Sequence, residues 1–141
     1  MSLPATLRLP ATAFLIALGF VGGIAGAAPV SLDCRASGPA GTVAFRLIFD
    51  EAAKQASTVW SAGGGRPHAQ WFGDSGTDNA IDPIFNATSI SAGFQYAAFD
   101  DPAVYRVNVD RTNGSVRFIR YNPVRMSEGS CGASAAPPRL F

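Results

Sequence analysis

The sequence predicts a mainly β protein. Its expected form is a single antiparallel meander, a curled sheet or small barrel or sandwich of about seven short strands, behind a cleaved N-terminal signal helix. Three observations predict it. Several short runs alternate apolar and polar residues at period two. Turn-forming Gly, Pro, Asn and Asp recur at roughly the 8–12-residue spacing of sandwiches and barrels. After the first apolar stretch, helix signals shrink to residues 50–56, enough for a turn or two or for a loop.

The N-terminus has one positive charge, Arg8, and no acid, followed by an apolar run over residues 11–24 and the small-residue exit Ala25-Gly26-Ala27. That order is the one a secretory signal peptide takes. The run is short against the roughly 20 residues that span a bilayer. Cleavage is expected after Ala27, because a cut after Ala28 would put Pro29 next to the scissile bond. Asp33 before Cys34 does not suit a lipoprotein cleavage site, which needs a small residue there. The expected organisation is therefore a signal peptide, residues 1–27, and one exported β domain, residues 28–141, periplasmic or extracellular, with no stable membrane span after cleavage.

Losing Arg8 lowers Lys plus Arg from 11 to 10, equal to the 10 acids, so the mature domain is neutral. A neutral domain lacks the basic surplus that nucleic acids and anionic membranes select. Cys34 and Cys131 stand near the two ends of the domain. In an exported chain a lone pair forms one bridge, and its wide separation matches neither a CxxC redox motif nor a four-ligand metal set.

Along the chain, residues 42–50 put Val43, Phe45, Leu47 and Phe49 on one face. Residues 57–61 form a short strand, Gly63-Gly64-Gly65-Arg66-Pro67 breaks the chain, and residues 69–72 are a short apolar piece. Residues 74–79 read as a polar loop. Pro83 demotes residues 81–91 to an edge or a break. Residues 93–99 alternate weakly. Residues 103–110 and 115–121 form the clearest hairpin, joined by Thr112-Asn113-Gly114, whose Asn-Gly pair tolerates positive φ. A last strand at 127–131 brings Cys131 beside Cys34, and residues 132–141 form an irregular tail.

Leu32-Asp33-Cys34, the Tyr105-Arg106…Asp110-Arg111…Gly114 strand and the closing Gly129-Ser130-Cys131 occur in that order. In these features the chain resembles small exported bacterial β-meander proteins, a family with no assigned activity. The resemblance implies the β fold and the exported compartment. It supplies no active site.

No motif carries chemistry that outweighs a structural use. Gly73-Asp74-Ser75-Gly76 matches the nucleophile motif of trypsin-like proteases, but the single His68 lies too close before it and the chain is too short for that fold. Asp74, Asp78, Asn79 and Asp82 could offer oxygens to Ca²⁺, yet they lack the EF-hand spacing and are expected in a solvated loop. Asp100 and Asp101 are neighbours on an extended chain and point apart before Pro102. Asn86-Ala87-Thr88 and Asn113-Gly114-Ser115 are formal glycosylation sequons. Arg106, Arg117 and Arg120, with Tyr105, Phe118 and Tyr121, have the Arg–aromatic composition of binding hot spots and are the expected interaction surface.

The expected function is a non-enzymatic binding or interaction module for a protein, peptide or small ligand, with no cofactor and no metal. The alternatives are a barrel carrying an apolar ligand around Phe45 and Phe49, and a small enzyme whose site the sequence does not reveal.

Overall fold

The structure, a computed structural model, describes residues 28–96, 104–121 and 123–134. The expected signal peptide, the Asp100-Asp101-Pro102 turn and the tail beyond residue 134 lie outside the described residues.

Nine strands make one antiparallel sheet. They are β1 (Val30–Ser37), β2 (Val43–Asp50), β3 (Gln55–Trp60), β4 (Gly76–Asn79), β5 (Ile81–Phe85), β6 (Ser89–Phe94), β7 (Tyr105–Asp110), β8 (Ser115–Arg120) and β9 (Arg125–Ala133). A single-turn helix, α1 (Ala69–Phe72), precedes β4. The mainly β expectation holds, with nine strands rather than about seven. In space the order is β4-β3-β2-β1-β9-β8-β7-β6-β5. Every neighbour is a sequence neighbour except the β1–β9 pair, so a meander has curled until its first and last strands met.

The sheet nearly closes into a barrel through an economical device. Counted through the antiparallel pairs, β4 and β5 run the same way, and only Ala80 separates them. Residues 76–85 are thus one bent segment whose first half pairs with β3 and whose second half pairs with β6. Ala80 N–H donates to Ala56 O at 2.8 Å and extends the β3 ladder to the bend. The bend falls where the β5–β6 register shifts between Ile81 and Ile84. Asp82, at φ 49°, and Pro83 sit inside that shift, as expected of a proline that demotes a strand.

Alternation sorts the residues cleanly. Val43, Phe45, Leu47 and Phe49 all point inward on β2, as their period predicts. Phe45 lies 5.0 Å from Trp60 and 5.9 Å from Phe118, ring centre to ring centre, and Tyr105 stacks on Phe94 at 4.6 Å. Phe49 meets Phe85 at 5.9 Å. Side chains therefore fill the barrel interior around Phe45 and Phe49. Truncating a ring such as Phe45 to Ala would cost about 3–5 kcal/mol.

Residues 30–37, given no element above, form a full strand whose inward residues are Leu32, Cys34 and Ala36. Two expectations are corrected. Residues 76–79 are strand β4 rather than loop, because Asp78 faces the interior and finds partners there. Gly132 and Ala133 continue β9 instead of opening the tail. The short apolar piece at 69–72 is the helical turn α1.

Cys34 and Cys131 are bonded, directly opposed across β1 and β9. The bridge sits on the inner face and fastens the pairing that curls the meander. Its loop spans 97 residues, which in the chain-entropy account is worth about 4–5 kcal/mol. Such a bond is consistent with an oxidising, exported location. Gly129 makes the neighbouring approach possible, since a Cβ there would run into the Arg35 carbonyl.

The hairpin turn follows local chemistry. Asp110 Oδ1 accepts from Thr112 N–H and its hydroxyl, which holds the Asp110 carboxyl below its usual range. Asn113 Oδ1 accepts from Ser115 N–H, and Gly114 takes φ 77°. Arg111 then ties three turns together at this end. It donates to Glu51 Oε1 at 2.9 Å and Asn86 O at 2.9 Å, its N–H donates to Thr88 O, and its guanidinium lies 5.9 Å over Phe49.

Candidate functional site

The densest polar constellation lies inside the barrel near its other end. Thr58 and Trp60 on β3, Asp78 on β4 and Tyr105 on β7 all face inward, and Tyr96 follows β6. Asp78 Oδ2 accepts from Tyr105 Oη at 2.6 Å and Tyr96 Oη at 2.8 Å, and Oδ1 accepts from Arg66 Nη2 at 2.7 Å. Trp60 Nε1 donates to Thr58 Oγ1 and Tyr105 Oη, and those two oxygens lie 2.6 Å apart.

Burial sets the protonation states. Desolvation first, and the Asp78 carboxylate second, push the Tyr105 phenol well above its ordinary value; the same two causes raise Tyr96. The hydrogen bond to Asp78 raises Arg66 further. The pair is ionic, 7 % and 6 % exposed, and both phenols stay neutral donors. Asp78 is committed to three internal donors and so ties Arg66, Tyr96 and Tyr105 together.

Arg66 also organises the segment between β3 and β4. Its Nη1 donates to Phe72 O, Gly73 O and Ser75 O, at 3.1, 3.2 and 2.9 Å. Those carbonyls end α1 and lead into β4. Gly76 has to be glycine at φ 148°, because a Cβ would lie 2.6 Å from Arg66 Nη1. From below, Tyr96 stacks on Phe72 at 4.2 Å, meets the His68 ring edge-on at 6.0 Å and donates to Pro67 O. On top of this braced turn stands Trp71, 71 % exposed. Arg66 Nε is the one buried side-chain polar atom without a partner among the described residues.

The sequence-predicted residues divide between the two faces of the sheet. Tyr105 and Phe118 are fully buried, a correction to the expected surface: alternation gives Tyr105 and Arg106 opposite faces, and the interior takes the ring. Arg106 lies outside, lying over Gly93 and donating to Ser91 Oγ at 2.9 Å. Arg117 pairs with Glu128 at 3.3 Å across β8 and β9. Arg120 is opposite Tyr105, half-buried at the barrel end, and Tyr121 follows it, also half-buried. The structure does not gather the six residues into one patch. His68 starts α1 with φ 58° rather than joining a triad, and Ser75 of the protease-like motif gives its carbonyl to Arg66. The acidic cluster does not converge either. Asp78 points in, Asn79 accepts from Ser57 on the outer side, and Asp74 and Asp82 are exposed.

Sequence reasoning missed Arg66, Tyr96 and Trp71, and placed Asp78, which is buried, in a solvated loop. Only one signal was available: an Arg in the 63–67 glycine-rich break with an Asp twelve residues on and aromatic residues beyond both. No protein-family model, curated protein or solved structure matches the chain. Among the described residues no helix is long and apolar enough to cross a membrane.

Proposed function

We propose that the protein is an exported interaction module, periplasmic or extracellular, released by cleavage after Ala27, that binds a protein partner through its outer surface and catalyses no reaction. The observation that carries this reading is Trp71, 71 % exposed on a turn braced from beneath by Arg66, Asp78 and Tyr96. A large amphipathic ring carried into solvent on a braced turn is what binding hot spots favour, because the backbone beneath it is ordered before it docks. The filled interior supports the outside as the working face and argues against an apolar ligand inside. The Arg–aromatic hairpin supports it less, since Arg106 and Arg117 are engaged on their own sheet.

The test is a photo-crosslinking amino acid placed at position 71, with position 117 as the comparison, in cells that export the protein. A discrete adduct at 71, absent at 117, supports the reading. Adducts at 117 alone, or at neither, overturn it. N-terminal sequencing of exported material should begin at Ala28; a start at Met1 would remove the compartment claim.

A further inference from the structure

An open groove of about 760 Å³ crosses the outer face of β3, β2, β1 and β9. That volume is in the range of small-ligand sites, roughly 300–1,000 Å³. Ala44, Val59 and Gly132 keep its floor low. Arg35, Arg46 and Asp33 stand along it, and Ala62 and Gly63 form part of its wall. Trp71 does not line it, so the groove is independent of the surface proposed above.

Its polar groups are mostly donors without internal partners. Arg35 makes no side-chain hydrogen bond or ion pair among the described residues. Arg46 uses Nε on Asp33 Oδ1 at 3.0 Å, which leaves both of its Nη groups. The wall is fixed by Gly64, whose N–H donates to Ser61 O and whose carbonyl accepts from Ala44 N–H. The N–H groups of Ala62 and Gly63, ahead of that anchor, have no partner among the described residues. Gly63 lies at φ 85°, and successive amides beside a left-handed residue form the concavities in which backbones receive anions.

We propose that this groove binds a carboxylate, held by the guanidinium groups of Arg35 and Arg46 and by the amides of Ala62 and Gly63. Asp33 offsets one of the two arginines, so the groove carries a single net positive charge. That suits a monoanion better than a phosphate dianion. The carboxylate belongs to a peptide C-terminus or to a small organic acid.

The test is amide NMR of the disulfide-bonded protein at constant ionic strength. The probes are N-acetyl-dialanine as free acid, its C-terminal amide, acetate and inorganic phosphate. The free acid should shift the Ala62 and Gly63 amides saturably, and the amide form should not. Arg35→Gln, at an exposed position, should weaken binding about tenfold or more while leaving the rest of the spectrum in place, as loss of a charged hydrogen bond requires. Arg46→Gln should act in the same direction. Acetate equal to the peptide assigns a small acid; peptide binding about tenfold tighter, or about 1.4 kcal/mol, assigns a C-terminus. Equal shifts with the amide, no saturable shift, tighter binding of phosphate, or unchanged affinity in Arg35→Gln would each overturn the site.

Discussion

Removing Asp78 should be among the most damaging single changes in the protein. Asp78→Ala leaves the Arg66 charge buried without its counter-ion and takes the acceptor from both Tyr96 and Tyr105. Both partners of the pair are less than a tenth exposed, so water screens little of the loss. Breaking a buried pair this way costs about 3–5 kcal/mol. Against a typical domain stability of about 5–15 kcal/mol, that is a large fraction. At about 4 °C per kcal/mol, the midpoint of thermal unfolding should fall by on the order of 12–20 °C. The double variant Arg66→Met/Asp78→Ala removes the orphaned charge as well and should recover part of the loss. The assay is urea and thermal unfolding of the wild type, Asp78→Ala, Arg66→Met and the double variant, read by far-ultraviolet circular dichroism. A cost below about 1 kcal/mol for Asp78→Ala, a value ordinary for an exposed pair, would refute the account. So would strictly additive single losses, since residues in one network must couple.

Two further outcomes follow from the same geometry. Tyr96 and Tyr105 are raised above their ordinary value of 10.0 in the fold, so they contribute stability that is complete below that value and declines as pH rises above it. In Tyr121→Phe, which leaves those two phenols, tyrosinate absorbance should emerge together with loss of circular dichroism; ionisation of both while the fold persists would contradict their burial. Replacing Cys34 and Cys131 by Ala should cost about 4–5 kcal/mol in urea unfolding, and free-thiol titration of the native protein should find no reactive thiol.

The fold was legible where side chains are large and strictly alternating. Val43, Phe45, Leu47 and Phe49 declared β2, and Tyr105, Val107 and Val109 with the Asn113-Gly114 turn declared the β7–β8 hairpin. It was illegible where the inward residues are small or polar. Cys34 was read for its bridge and Ala36 not at all, so neither declared β1, and Asp78 read as a solvated loop residue. Period two treats a buried aspartate as an outward one. It is inward here because two tyrosines and an arginine, separated from it in sequence, converge on it only after the sheet has curled. Tyr105 and Phe118 drop out of the hairpin surface for the opposite reason: composition was counted across both faces of a strand whose faces have different environments. Trp71 carried no sequence signal, since an apolar four-residue piece gives no hint of which ring is left outside.

Closure of the barrel and presentation of Trp71 rest on the same residues, and this links the fold to the proposed function. The β4–β5 bend leaves the sheet incompletely paired, with Ala80 making the last ladder contact at the corner. Side chains take over beyond it. Asp78 reaches from β4 to Tyr105 on β7 and to Tyr96 beyond β6, spanning the seam that backbone hydrogen bonds do not. Arg66 joins the same carboxylate and draws the 61–75 segment down onto that end. The ion pair is therefore better placed to specify geometry than to add stability, because an apolar replacement of similar volume could match its energy. An apolar replacement could not aim three hydrogen bonds at the carbonyls around α1. A segment that only had to cover the barrel end would not need that aim; one that must carry an exposed tryptophan on a fixed turn does.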